Sequence, residues 1–227
     1  MIHILLSRGI LGDSKWVQQF QPYILPKHRV CIVALSYFEE HIPHFDAYDL
    51  YYRKGGEYYQ KMIDSFAPYG IKEDQITWIY HNDKNIDMMK KQIQSADILY
   101  FPGGAPDLMM KRMDELGLIE TIEKHKKIVI GSSAGAMIQF AEYHISPDNE
   151  YHRFSLNKGL NWLDQFIIEV HYRRRKKQKS SLRKRHRETK KDIYGIPDDG
   201  AIIFDGQTVR CLGGARQLYN KKGVIPK

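Results

Sequence analysis

Apolar and polar positions alternate along the chain in a way that separates short buried strands from amphipathic helices. Residues 2–7 and 29–36 (Arg-Val-Cys-Ile-Val-Ala-Leu-Ser) are near-continuous apolar runs rich in β-branched side chains, the pattern of strands covered on both faces. Trp16, Phe20, Tyr23, Ile24 and Leu25 predict a short helical or irregular connection that Pro26 ends. From Asp46 to Tyr69, Leu50, Tyr51, Tyr58, Met62, Ile63 and Phe66 recur near helical spacing. Gly55-Gly56 interrupts that pattern, and since each glycine costs roughly 1 kcal/mol in a helix interior, a break is expected there. Ile76 to Tyr80 reads as a strand, and Asn85 to Ser95 as a helix with Asn85 as its cap.

The organising stretch is 97–141. A strand at 97–101 runs into Gly103-Gly104, and a helix from Ala105 carries Leu108, Met109, Met113 and Leu116. A shorter helix holds Leu118, Ile119 and Ile122, then a strand at 128–130 enters Gly131-Ser132-Ser133-Ala134-Gly135 and an apolar helix. Strands alternating with helices predict βαβ units on a mostly parallel sheet, an α/β fold in three layers. In such sheets ligands bind beyond the C-terminal strand ends, and both glycine-rich turns lie there.

The last third changes character. Residues 166–171, Phe-Ile-Ile-Glu-Val-His, read as a strand ending at His171; the basic run follows, then Ile193-Tyr-Gly-Ile-Pro-Asp-Asp-Gly200, with Asp198 and Asp199 in a turn directly before a strand. Ala201–Phe204 and Thr208–Leu212 flank Asp205-Gly206-Gln207 as a C-terminal β-hairpin. With no repeat and no long linker, residues 1–227 are expected to form one domain.

Composition changes this picture in one place. The net charge is +8, but the segment from Arg173 to Lys191 holds twelve Lys and Arg against a single acid, Glu188. That segment alone is +11, so the rest of the chain is acidic. It contains no aromatic residue on which a base would stack, and no helix-turn-helix or zinc pattern accompanies it. A solvated, partly helical face is the first expectation, help with acidic substrates the second, and nucleic acid the last. No apolar run reaches the length of a membrane span, and the N-terminus lacks the features of a signal peptide. Cys31 and Cys211 lie in strand-like runs without metal-ligand spacing and read as reduced, buried thiols of a cytoplasmic protein.

Gly131-Ser132-Ser133-Ala134-Gly135 fits G-x-S-x-G, in which a strained strand-to-helix turn lifts a serine hydroxyl above the sheet edge. A serine nucleophile needs a base, and the base an orienting acid. Of ten histidines, His171 is best placed, at the end of a buried strand downstream of the elbow. His3 reads as a packed core residue, and His28, His41, His44, His81, His125, His144, His152 and His186 as solvated. Asp198 or Asp199, in the turn before a strand, supplies a candidate acid. The amides of Gly103 or Gly104 and of Ala134 are candidate oxyanion donors.

Phe-Pro-Gly-Gly-Ala, Gly-Ser-Ser-Ala-Gly-Ala, the strand ending in His171, Ile-Pro-Asp-Asp-Gly-Ala-Ile-Ile and Leu212-Gly-Gly-Ala215 occur in the order of the dipeptidase E/cyanophycinase family of serine peptidases, which the chain resembles over almost its whole length. The resemblance implies the class I glutamine amidotransferase-like fold, with Ser133 as nucleophile, His171 as base, Asp198 as the acid by spacing, and Gly103-Gly104 in the oxyanion hole. It implies a peptidase acting on short peptides, with no metal or organic cofactor. Where members recognising an N-terminal Asp carry Asn-Thr after the glycines, this chain has Ala105-Pro106-Asp107; where they carry Asn-Pro before the histidine, it has Glu169-Val170. Arg173 and Arg174 follow His171 and are candidates for a substrate carboxylate. Two other readings stand beside this one. An esterase with the chain order Ser…Asp…His would use Asp148 or Asp164 as the acid. A non-catalytic binding protein would use segment 173–191 to hold an acidic partner or nucleic acid. Nothing in the sequence chooses between a monomer and a homodimer.

Overall fold

The computed structural model describes residues 1–225. The first part of the chain runs β1 (Ile2–Leu6), α1 (Ser14–Phe20), β2 (Val30–Val33), α2 (Phe45–Tyr52), α3 (Glu57–Phe66), β3 (Ile76–Ile79), α4 (Ile86–Ser95), β4 (Ile98–Phe101), α5 (Pro106–Glu115) and α6 (Ile119–Glu123). It continues through β5 (Ile128–Ser132), α7 (Ala134–Met137), β6 (Glu142–Ile145), β7 (Ser155–Lys158), β8 (Phe166–Val170) and α8 (Lys176–Thr189). The chain closes with β9 (Asp192–Ile196), β10 (Gly200–Phe204), β11 (Val209–Gly213), β12 (Arg216–Asn220) and β13 (Gly223–Val224).

Seven strands form the central sheet in the order β11-β10-β1-β5-β4-β2-β3. The five from β1 to β3 are parallel, and the β10–β11 hairpin joins β1 antiparallel at one side. The strands are apolar throughout because both faces are covered. Leu5, Cys31, Val33, Leu99, Phe101, Val129 and Ile202 pack into one core, and their strand neighbours Ile4, Leu6, Val30, Ile32, Ile98, Tyr100 and Ile203 into the other. That alternation gives the three-layer α/β architecture its middle layer. The break at Gly55-Gly56 falls between α2 and α3, with Gly55 in the left-handed region (φ 91°). The Asn85 side chain caps α4, accepting from the Met88 amide at 3.0 Å.

Three parts depart from the expectation. The apolar helix after the elbow is a single turn, α7, because the chain turns at Ile138–Ala141 to exchange backbone hydrogen bonds with the 159–163 segment. It then enters the unforeseen β6–β7 hairpin. Residues 166–170 form the expected strand but do not join the central sheet; β8 heads a second sheet, β13-β12-β9-β8, in which β9 is a strand that the sequence pattern did not assign. The basic segment is mostly α8, whose Leu182 packs with Ile167 and Ile193 and whose Arg185 is buried and paired with Glu142 and Glu188, while the other Lys and Arg of the helix are exposed. No helix among the described residues is long and apolar enough to cross a membrane.

Register brings the site together. Leu6 of β1 pairs with Ser132 of β5 and with Ala201 of β10, so Ser7, Ser133 and the turn before β10 meet at one sheet edge. In the second sheet Val170 pairs with Ile196, which sets His171 level with the start of that same turn.

Candidate active site

Ser133 sits between β5 and α7 at φ 49° and ψ −112°, a conformation that costs roughly 1–3 kcal/mol and persists only where its surroundings over-determine it. Here they do. The Ser133 amide donates to Leu6 O at 2.8 Å, Gly135 N to Pro102 O at 3.1 Å, and Ala136 N to Ser133 O at 3.0 Å. The glycines are sterically required: a Cβ on Gly131 would lie 2.1 Å from Gly135 O, and one on Gly135 2.0 Å from Phe101 O.

The Ser133 hydroxyl lies 2.9 Å from His171 Nε2, and His171 Nδ1 lies 2.7 Å from Asp198 Oδ1. Burial alone would raise the Asp198 carboxyl, but hydrogen bonds from His171 and Arg173, with the charges of His171 and Arg8, outweigh it and hold the group at about 2. An ionised carboxylate only accepts, so Nδ1 carries a proton, which leaves Nε2 as the ring nitrogen that faces the serine hydroxyl. Chemically, that arrangement can take a proton from Ser133 and hold the resulting imidazolium against Asp198.

His171 is itself held in the left-handed region (φ 51°). Its amide donates to Ser7 Oγ at 2.6 Å, and its carbonyl accepts from Gln178 Nε2 at 2.9 Å. Gln178 Oε1 accepts from the amides of Arg173 and Arg175, so the first turn of the basic helix clamps the bend that presents the imidazole. Asp198 Oδ2 is bridged by Arg173 and, at 3.3 Å, by Arg8. Sequence reasoning missed Ser7, Arg8 and Gln178; only the apolar run ending at Ser7 hinted that a strand end lay there.

Gly103 packs against Ser133, and its carbonyl accepts from Ser36 Oγ at 2.7 Å. Gly104 (φ 136°) approaches Ser36 so closely that a Cβ would fall 2.0 Å from Ser36 O. Among the described residues, the amides of Gly104 and Ala134 donate to no protein acceptor. Both border the serine.

Ser133, His171, Gly104 and Arg173 line one cleft of about 530 Å³ with Arg8, Arg175 and Glu169. Gly103 lines a second, aromatic cleft of about 340 Å³ with Tyr37, Phe38, Tyr51 and Tyr52. Arg174 lines neither, and Arg175 takes the place expected for it. Asp199 does not contact His171; Asp148 borders the cleft without touching the imidazole, and Asp164 pairs with Lys191 instead. Three histidines expected in solvent are buried. His125 bonds Ile128 O, His186 bonds Asn220 O, and His144 bonds Glu169 Oε2 at 2.7 Å. His3 is buried as expected, with Nδ1 2.8 Å from Gln139 Oε1 and burial lowering it to about 4. Cys31 is buried, which pushes its thiol up to about 12, whereas Cys211 is only half-buried. Among the described residues, no three His, Cys, Asp or Glu side chains cluster as a metal site.

An elbow serine hydrogen-bonded to a strand-end imidazole, on a mostly parallel three-layer sheet, defines an α/β protein of the serine-hydrolase kind. The sequence profile of peptidase family S51 matches residues 49–212. The chain belongs to that family, the dipeptidase E family, and is a serine-type peptidase. No curated protein matches it. Among the solved structures that share the fold are two peptidases. One is a candidate peptidase E protein from Listeria monocytogenes EGD-e, at TM-score 0.63 and 16% identity over 93% of this chain and 97% of that one. The other is a peptidase from an acI-B1 Actinobacterium, at TM-score 0.64 and 15% identity over 96% and 94%.

Proposed function

We propose that this peptidase cleaves short peptides with Ser133 as nucleophile, His171 as general base and then acid, and Asp198 as the group that fixes the imidazole tautomer. The observation that carries the reading is the continuous hydrogen-bonded chain from Ser133 Oγ through His171 to Asp198. His171 Nε2 takes the hydroxyl proton as Oγ attacks the peptide carbonyl. The free amides of Gly104 and Ala134 receive the developing oxyanion, and His171 returns the proton to the leaving amine. Water then enters, gives a proton to His171 as its oxygen attacks the acyl carbon, and His171 passes that proton to Ser133 Oγ as the ester bond breaks. Arg173 and Arg8 hold Asp198 in its charged form, which stabilises the imidazolium.

The preference for short substrates is supported by the size of the cleft, about 530 Å³, whose lining includes residues of the 145–151 segment and of the 171–175 bend. A mixed library of di-, tri- and tetrapeptides, run beside an unfolded protein, tests it by mass spectrometry of the products. Cleavage of the short peptides that disappears in Ser133→Ala is expected. Cleavage confined to the long chain would reject the substrate class, and full turnover by Ser133→Ala would reject the mechanism.

A further inference from the structure

Glu169 lies on β8 two residues before His171 and borders the same cleft as Ser133, with only 6% of its side chain exposed. Its Oε2 accepts from His144 Nε2 at 2.7 Å and from Ser146 Oγ at 2.9 Å. Its Oε1 accepts from no described residue and keeps some solvent contact, and Glu169 itself borders the cleft. A carboxylate offers about four acceptor sites, and withdrawing it from water with half of them empty is costly. Ile145, Ile168, Val170 and Met137 border the same cleft and contribute apolar surface to it.

Among the described residues Arg8 and Arg173 are committed to Asp198, Arg175 borders the cleft without an acidic partner, and no Lys or Arg forms an ion pair with Glu169. Its partner His144 adds a positive charge only when protonated, and stacks on Phe154, which in turn lies under Lys184. Asp148 and Glu150 border the cleft as well, so its lining holds three acidic side chains alongside Arg8, Arg173 and Arg175.

We infer that Glu169 is a specificity-determining residue whose Oε1 accepts a hydrogen bond from a cationic nitrogen of the substrate, with His144 and Ser146 fixing the carboxylate in place. The cation is an ammonium or guanidinium, supplied either by the peptide's N-terminus or by a Lys or Arg side chain. With the Glu169 side chain only 6% exposed, such a charge-assisted bond discriminates strongly against a neutral isostere, which leaves the carboxylate unpaired. The inference rests on the proposed role of Ser133 only in that the bound peptide is presented to that hydroxyl.

Calorimetric titration of the Ser133→Ala protein tests it without relying on turnover, so a failure of the nucleophile assignment registers separately. Two matched pairs serve as probes: Ala-Ala against N-acetyl-Ala-Ala, and Lys-Ala against norleucyl-Ala. The cationic member of at least one pair is expected to bind about tenfold or more tightly. That preference should vanish when Glu169→Gln is added to Ser133→Ala. A difference in the acetyl pair assigns the α-ammonium, and one in the lysine pair assigns the side chain. Equal affinities within both pairs in the protein retaining Glu169, a result independent of how Glu169→Gln folds, overturn the inference. So does a preference that survives Glu169→Gln, or the absence of binding by all four peptides.

Discussion

Asp198 illustrates how one residue acquires its role from its partners. It meets His171 on one oxygen and two arginines on the other, and the balance of these against burial holds it near 2. Because the folded value is depressed, the stability this carboxylate contributes is present above the ordinary range near 3.8 and is lost as pH falls toward 2. The same sign keeps Asp198 charged through any pH at which the protein would be assayed. Loss of activity between pH 7 and 4 should therefore trace to groups other than Asp198. Asp198→Asn preserves the shape but favours the wrong imidazole tautomer, and kcat should drop by roughly 10³–10⁴-fold. Steady-state kinetics on a cleaved peptide check this; a loss below tenfold would remove Asp198 from the mechanism.

At the scale of elements, the two glycine turns and their serine were legible because their chemistry is local. Strand, sharp turn and helix are written in consecutive residues, and G-x-S-x-G states the close approach of Gly135 to β4 directly. The second sheet was not legible. Ile193–Ile196 is short and runs into Pro197, so its pairing with β8 on one side and β12 on the other is a property of the assembled chain. Glu169 and His144 were missed for a related reason: they are 25 residues apart, and nothing in either neighbourhood announces the other. The basic helix shows a third case. Its charge was conspicuous, whereas the residue that matters to the site is the neutral Gln178 in its first turn. Gln178→Ala should loosen the bend at His171 and lower kcat by roughly tenfold while leaving KM almost unchanged. A change in KM with kcat preserved would make Gln178 a substrate contact rather than a positioning residue.

At the scale of the whole molecule, the central sheet carries two cores, and a histidine is built into one strand of it. His3 lies against Trp162 and Phe204 with its ring bonded to Gln139, and burial holds it near 4. The unfolded chain binds a proton here from the ordinary value of 6.5 downward, and the folded chain does not until about 4. Stability from this group is thus complete above 6.5 and declines as pH falls through that window, by an amount on the order of a few kcal/mol. Urea denaturation at pH 7 and pH 4.5 should show a smaller difference for His3→Leu than for the unaltered protein. An equal difference in both would show that His3 does not govern acid stability.

The central claim, that Ser133 is activated by His171, is tested most directly by labelling with a fluorophosphonate probe that reacts only with nucleophilic serines. The account predicts stoichiometric labelling of the unaltered protein at Ser133, none in Ser133→Ala, and a severe loss in His171→Ala. Absence of labelling in a protein shown to be folded, or labelling that persists in Ser133→Ala, would contradict it.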